Sequence, residues 1–170
     1  GANPTDGHPV FASQMKRRLR EGAKLIVVDP RRIDIVRQPH VAADYHLKLR
    51  PGTNVAVINA LAHVVVTEGL LKEDYIRERC DLKEYAKWKT FITQPHNSPE
   101  AMEAVTGVPA ADIVKAARFY AKSKPASIHW GVAVDMTPAL TPLVQAIACL
   151  WALTGNLDVP GGNVTARLAF

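Results

Sequence analysis

Four short stretches carry residue types able to bind an anionic, hydroxyl-bearing ligand. Gly1-Ala2-Asn3-Pro4, then His8-Pro9, leads straight into an apolar-periodic segment. Glycine lets a ligand approach the backbone closely, and a helix amino terminus favours phosphate. The same residues also make an ordinary turn and helix start. Asp29-Pro30-Arg31-Arg32 sets an acid beside two guanidiniums. Such a carboxylate accepts from a ribose hydroxyl or a guanine edge while arginine forks onto phosphate, or the two close a strand-terminal salt bridge. Pro51-Gly52-Thr53-Asn54 offers a tight turn, a hydroxyl and an amide able to read a base, or only a helix cap. Gly131-Val132 interrupts an apolar run, a sign that a backbone or a ligand comes close.

No catalytic engine accompanies these stretches. The chain has no GxGxxG after a strand pattern, no GxxxxGK[ST], no HExxH and no GxSxG. The histidines at 8, 40, 46, 63, 96 and 129 lack metal-ligand spacing with Cys or Glu, and His63 and His129 read as packing residues. Cys80 and Cys149 read as structural thiols, too few for a disulfide scaffold. Tyr75, Tyr85, Trp88 and Phe91 read as a core or interface face. No metal ligand and no catalytic residue is expected from the residues alone.

Elements must hold the four stretches together. Residues 9–21 have a helical apolar spacing opened by Pro9 and stopped by Gly22. Lys24–Asp29 reads as a buried parallel strand and Asp44–Leu49 as an alternating one, with Tyr45, Leu47 and Leu49 on one face. Thr53 is placed to cap a long helix through Glu68, closed by Gly69. Residues 72–92 predict two short surface helices, 94–99 a polar loop, and 109–122 an amphipathic helix. Residues 126–134 predict a third strand broken by Gly131, 138–154 an apolar helix, and 159–170 a glycine loop. Strands alternating with helices make an α/β fold, a three-layer Rossmann-like domain with a mostly parallel sheet flanked by helices. In such sheets ligands sit beyond the carboxyl ends of the strands, which is where the four stretches fall.

Composition narrows the partners. The chain has 170 residues and a net charge of +5, with 48% hydrophobic and 22% charged residues, as expected of a globular domain. Residues 1–50 hold ten basic and five acidic side chains, whereas residues 51–170 hold eleven of each. The excess therefore lies with the loops expected to face an anion. Nucleic acid is not expected as a partner, and no apolar run is long enough for a membrane span. The opening Gly1-Ala2-Asn3-Pro4, without Met, reads as a loop of a processed or excised piece.

Taken in order, Gly1-Ala-Asn-Pro-Thr-Asp-Gly-His-Pro9, Val27-Val-Asp-Pro-Arg-Arg32, Leu49-Arg-Pro-Gly-Thr-Asn54, Trp130-Gly-Val132 and Leu153-Thr-Gly-Asn-Leu157 form a set. It resembles the large subunit of the bis-molybdopterin guanine dinucleotide oxidoreductases, the dimethyl sulfoxide reductase superfamily, and most of all the formate dehydrogenase alpha subunit. The resemblance covers essentially the whole chain.

That resemblance implies that residues 1–170 are a single α/β domain, a fragment of the central domain that cradles one pterin dinucleotide in a larger subunit. Asn3 and its neighbours Gly1, Pro4 and His8 would contact the phosphates or pterin. Asp29, Pro30 and Arg31 would hold the guanosine, Gly52, Thr53 and Asn54 would recognise guanine, and Gly131 and Val132 would line the cofactor near its pterin. The implied cofactor is molybdopterin guanine dinucleotide with Mo or W. An iron–sulfur cluster and the metal-ligating loop belong upstream of this chain. Arg167 stands as the counterpart, shifted by a residue, of a substrate-facing arginine in formate dehydrogenases. Implied partners are the remaining domains of the same subunit and electron-transfer subunits. The fragment would be inactive alone, expose a sheet edge and an apolar patch, and self-associate. The alternative is a stand-alone nucleotide-binding or interaction module without redox chemistry; the compartment is left open.

Overall fold

The computed structural model describes residues 2–38 and 41–164, so Gly1 and Arg167 of the expected site lie outside the described residues. The chain opens with α1 (Pro4–Gly7) and α2 (Pro9–Arg20), each carrying proline in its first turn, where a missing N–H costs nothing. The apolar run forms β1 (Ile26–Val28). A 3-10 turn at Asp34–Val36 and a ribbon of β2 (Arg37–Gln38) and β3 (Val41–Ala42) follow. These strands are too short to show alternation in the sequence. β4 (Tyr45–Leu47) then pairs with β1 in parallel, Ile26 opposite Tyr45 and Val28 opposite Leu47.

The rest is mostly helical: α3 (Asn54–Thr67), α4 (Glu73–Arg79), α5 (Leu82–Ile92), α6 (Pro99–Thr106), α7 (Ala110–Lys122), α8 (Val132–Asp135) and α9 (Leu140–Thr154). Helix α3 buries Val57, Ile58, Ala60, Leu61, Ala62, Val64, Val65 and Val66, so it is apolar around most of its circumference and needs neighbours on several sides. It finds them in α6, α7 and α9. Asp81 caps α5 by accepting from the N–H groups of Lys83 and Glu84. Helix α6 was not foreseen: its buried residues are only Pro99 and Thr106 at its two ends, so no apolar stripe announces it. Beyond the helices, Arg118 forks onto Glu68 with two 2.7 Å hydrogen bonds, tying α7 to the end of α3.

Two expectations are corrected. Thr53 does not cap α3 with its side chain; its hydroxyl donates back to the Arg50 carbonyl at 2.7 Å, closing the turn instead. The third expected strand also differs. Residues 126–131 belong to no strand among the described residues, and Val132–Asp135 winds into α8. Side chains satisfy this segment instead. Asn156 Oδ1 accepts from the Ala126 N–H at 3.0 Å. Asn163 Oδ1 accepts from the Ile128 N–H at 3.0 Å while its Nδ2 donates to the Ile128 carbonyl at 2.9 Å. An asparagine amide carries the donor and acceptor of a peptide unit, so it can stand where a neighbouring strand would. The α/β class holds, with the parallel pair as its sheet.

Two apolar clusters result, a large one from Leu47, Leu49, α3, α7 and α9, and a small one from Val27, Ile33 and Ile35. Ile113 on α7 is 0% exposed, so Ile113→Ala should cost about 2–5 kcal/mol in denaturant unfolding. Val10→Ala, at a position 80% exposed, should stay within about 0.5 kcal/mol.

Candidate functional site

Because β1 and β4 run in parallel, their carboxyl ends and the loops that follow share one side of the molecule. There Pro4, His8, Asp29 and Asn54 line one cavity of about 920 Å³, together with Trp130. Asn3, Pro30, Thr53 and Gly131 adjoin these residues in the chain, and Arg31, Gly52 and Val132 lie one position further along; none of the seven is part of the wall. The structure thus gathers four of the described site residues on one surface.

Asp29 is the buried charge of the site, 1% exposed at the end of β1. Its Oδ1 accepts from the Arg31 N–H at 2.8 Å and from Arg31 Nε at 3.2 Å, and its Oδ2 from Nη2 at 3.3 Å. Burial alone would push this carboxyl up, but the hydrogen bonds from Arg31 outweigh it and hold the pKa below the ordinary aspartate value. The carboxylate is therefore kept ionised at the cavity wall, with a largely exposed guanidinium beside it. Its backbone carbonyl shares a 2.9 Å hydrogen bond with His46 Nε2 from β4. His46 was read only as lacking metal-ligand spacing. Its position in an alternating strand, opposite in direction to the buried Leu47, is the signal that placed it at this rim.

The loop before α3 is built by Gly52, whose φ of +86° puts it in the left-handed region that side chains avoid. That turn lets the Thr53 N–H and hydroxyl both reach the Arg50 carbonyl, and it aims the first residue of α3, Asn54, at the cavity. On the opening loop, the Asn3 amide is held within its own turn, donating to Asp6 and accepting from Thr5. His8 sits between α1 and α2 without a side-chain cap bond, and exposed.

Trp130 stacks on Trp151 with ring centroids 5.7 Å apart, and its Nε1 donates to Asp135. Gly131 and Val132 follow at the start of α8, where Val132 is 68% exposed. The position of this loop depends on Asn156 and Asn163, both buried, which sequence reasoning missed as functional residues. Thr154-Gly155-Asn156 was read as a helix stop and a motif, with no role for the amide. Gly162 has to be glycine, since a Cβ there would lie 2.5 Å from the Asn156 carbonyl oxygen.

Burial pushes the thiols of Cys80 and Cys149 up, which suits structural cysteines rather than nucleophiles. Among the described residues no three His, Cys, Asp or Glu stand together to hold a metal ion. No helix among them is long and apolar enough to cross a membrane.

Comparison with known proteins decides the family. A sequence model of the molybdopterin oxidoreductases matches residues 1–168. The chain belongs to the molybdopterin oxidoreductase family. It is 39% identical over 165 residues to formate dehydrogenase H of Escherichia coli, covering 96% of this chain and 22% of that protein. It is 36% identical over 164 residues to the F420-dependent formate dehydrogenase 1 subunit alpha of Methanococcus maripaludis, covering 96% and 23%. Acetylene hydratase from Pelobacter acetylenicus superposes with a TM-score of 0.78 at 30% identity, over 85% of this chain and 19% of that one. This member of the molybdopterin oxidoreductases thus spans about a fifth of the length of the relatives it matches, and the resemblance to formate dehydrogenases stands.

The Asp29–Arg31 pair makes a pH prediction. A carboxyl held below its unfolded value stabilises the fold above the ordinary 3.8 and loses that contribution as pH falls through the lower folded value. Arg31→Ala leaves burial less opposed, so an NMR titration of the Asp29 carboxyl should move upward and acid unfolding should begin at higher pH. Asn163→Ala strands the N–H and carbonyl of Ile128, and should cost about 1–3 kcal/mol in thermal unfolding.

Proposed function

We propose that this chain is one domain of a molybdenum or tungsten oxidoreductase subunit and that it holds the guanine dinucleotide arm of molybdopterin. The observation that carries the proposal is the convergence of Pro4, His8, Asp29 and Asn54 on one cavity beyond the ends of two parallel strands. The donor set fits such a group. Asp29 is an ionised acceptor for ribose hydroxyls or the N–H edge of guanine. Asn54 offers both a donor and an acceptor to a base, and Gly52 with Thr53 sets its position. Arg31 presents an exposed guanidinium to a phosphate. Asn3 and Pro4 form the opening loop, and His8 brings the first turn of the twelve-residue α2 to the same cavity. Pro30 fixes the chain between Asp29 and Arg31. Gly131 and Val132 follow the wall residue Trp130 and take the pterin end.

When bound, the group supplies two-electron redox chemistry at its metal. This chain's residues bind and orient the nucleotide end. With the relatives several times longer, the metal ligand, an iron–sulfur cluster and the electron-transfer partners belong to other parts of the parent protein, and the isolated domain is silent. The named relatives favour a formate dehydrogenase-like parent.

The test uses the full parent polypeptide. Asp29→Asn and Asn54→Ala should each lower the guanine nucleotide released on acid denaturation by roughly ten-fold or more, as loss of a hydrogen bond to a charged or base-reading group implies. Thermal unfolding of the Asn54→Ala protein should stay near the unaltered value. Undiminished nucleotide in both variants would overturn the assignment.

A further inference from the structure

The carboxyl end of α6 is closed by a residue from another part of the chain. The final carbonyls of a helix have no partner within it. In α6 the Glu103 carbonyl is taken by the Gly107 N–H at 2.8 Å, and the three that follow are taken by Arg50. Arg50 Nη1 donates to the Ala104 carbonyl at 2.6 Å and to the Val105 carbonyl at 3.2 Å. Its backbone N–H donates to the Thr106 carbonyl at 2.7 Å. The cation thus sits at the negative end of the helix dipole. Gly107 leaves room for it, since a Cβ there would lie 3.3 Å from Arg50 Nε, and its φ of +74° turns the chain away. The same residue holds the loop before α3. The Arg50 carbonyl accepts from the Thr53 N–H at 3.2 Å and from the Thr53 hydroxyl at 2.7 Å. Asn54 follows at once and lines the cavity.

We propose that Arg50 is a positioning residue for the bound nucleotide: it fastens the loop Gly52-Thr53-Asn54 to the carboxyl end of α6 and so sets where the Asn54 amide meets the base. This rests on the nucleotide reading above and adds to it a residue that acts through Thr53 and Asn54. Arg50 itself is not part of the cavity wall, and its guanidinium is turned to α6, so binding a phosphate is not its role. The need for an anchor follows from the start of α3. No side chain caps that helix, because the Thr53 hydroxyl is directed back to Arg50. A base-reading amide has to present its donor and acceptor at the right angle, since hydrogen bonds weaken steeply when bent. Loops are the mobile parts of a domain, whereas α6 is packed against both α3 and α7. Arg50 therefore ties the loop to an element that is itself held. Because one nitrogen makes both side-chain bonds, an ammonium group at this position can stand in for the guanidinium.

The test compares Arg50→Ala, Arg50→Lys and Arg118→Ala in the full parent polypeptide. The third variant removes the fork onto Glu68 and leaves the loop untouched. Arg50→Ala should lower the guanine nucleotide released on acid denaturation by roughly ten-fold, as loss of hydrogen bonds from a charged donor implies. Hydrogen exchange is compared in the cofactor-free form, so that a difference is not a consequence of nucleotide loss. There, peptides covering 49–56 should exchange about ten-fold faster in Arg50→Ala, with peptides covering α7 unchanged. Arg50→Lys should bring nucleotide and exchange back to within about three-fold of the unaltered protein. Arg118→Ala should lower the unfolding temperature and leave both readings at the loop as they were, which separates lost position from lost stability. Full nucleotide in Arg50→Ala, with Asn54→Ala depleted, would overturn the positioning role and leave the nucleotide reading standing. Full nucleotide in both would overturn the two together. Unchanged exchange over 49–56 in Arg50→Ala, or equal nucleotide loss in Arg118→Ala, would also overturn the positioning role.

Discussion

Helix α3 offers water almost no polar side, and enclosing it organises the molecule. Eight of its residues are buried, and α6, α7 and α9 close around it while Leu47 of β4 and Leu49 just beyond it add to the same cluster. Apolar burial of this extent is the main favourable term available to a domain of this size. It also fixes direction. The amino end of α3 is pinned at the carboxyl end of the sheet, so Asn54 is carried to the cavity by the same packing that hides Val57 and Val65.

Backbone polar groups set the second constraint. An extended segment without a neighbouring strand leaves N–H and C=O groups that must be paired elsewhere. Asn156 and Asn163 pair the N–H of Ala126 and the N–H and carbonyl of Ile128, and Gly162 allows the close approach that brings the two asparagines together. The loop after α9 therefore holds the segment that ends at Gly131 and Val132. Packing at one end of the chain and the candidate ligand surface are linked through a few hydrogen bonds.

Electrostatics fit the same arrangement. Asp29 is buried yet ionised because Arg31 donates to both of its oxygens, and Arg31 itself stays largely in solvent. The excess of positive charge in the first fifty residues lies on the segments that supply three of the cavity's four expected residues, Pro4, His8 and Asp29. The relatives that this member of the molybdopterin oxidoreductases matches are about five times longer than the chain.

Much of this was legible in the sequence, for local reasons. Apolar runs and alternation marked β1 and β4, apolar density marked α3 and α9, and ordered motifs marked the family. Helix α6 was not legible because it buries little, and the ribbon of β2 and β3 was not because two residues show no period. The site was legible as residue types, Asp29 and Asn54 among them, but their meeting on one cavity was not. Nor was the fate of residues 126–134 visible. A strand pattern states that a segment is extended and apolar, while pairing depends on which partner lies alongside. The sequence alone determined most of the elements and the ligand chemistry their residues can offer. Only the tertiary structure decided that asparagine side chains hold one edge of that segment, because hydrogen-bond partners distant in the chain are chosen by packing.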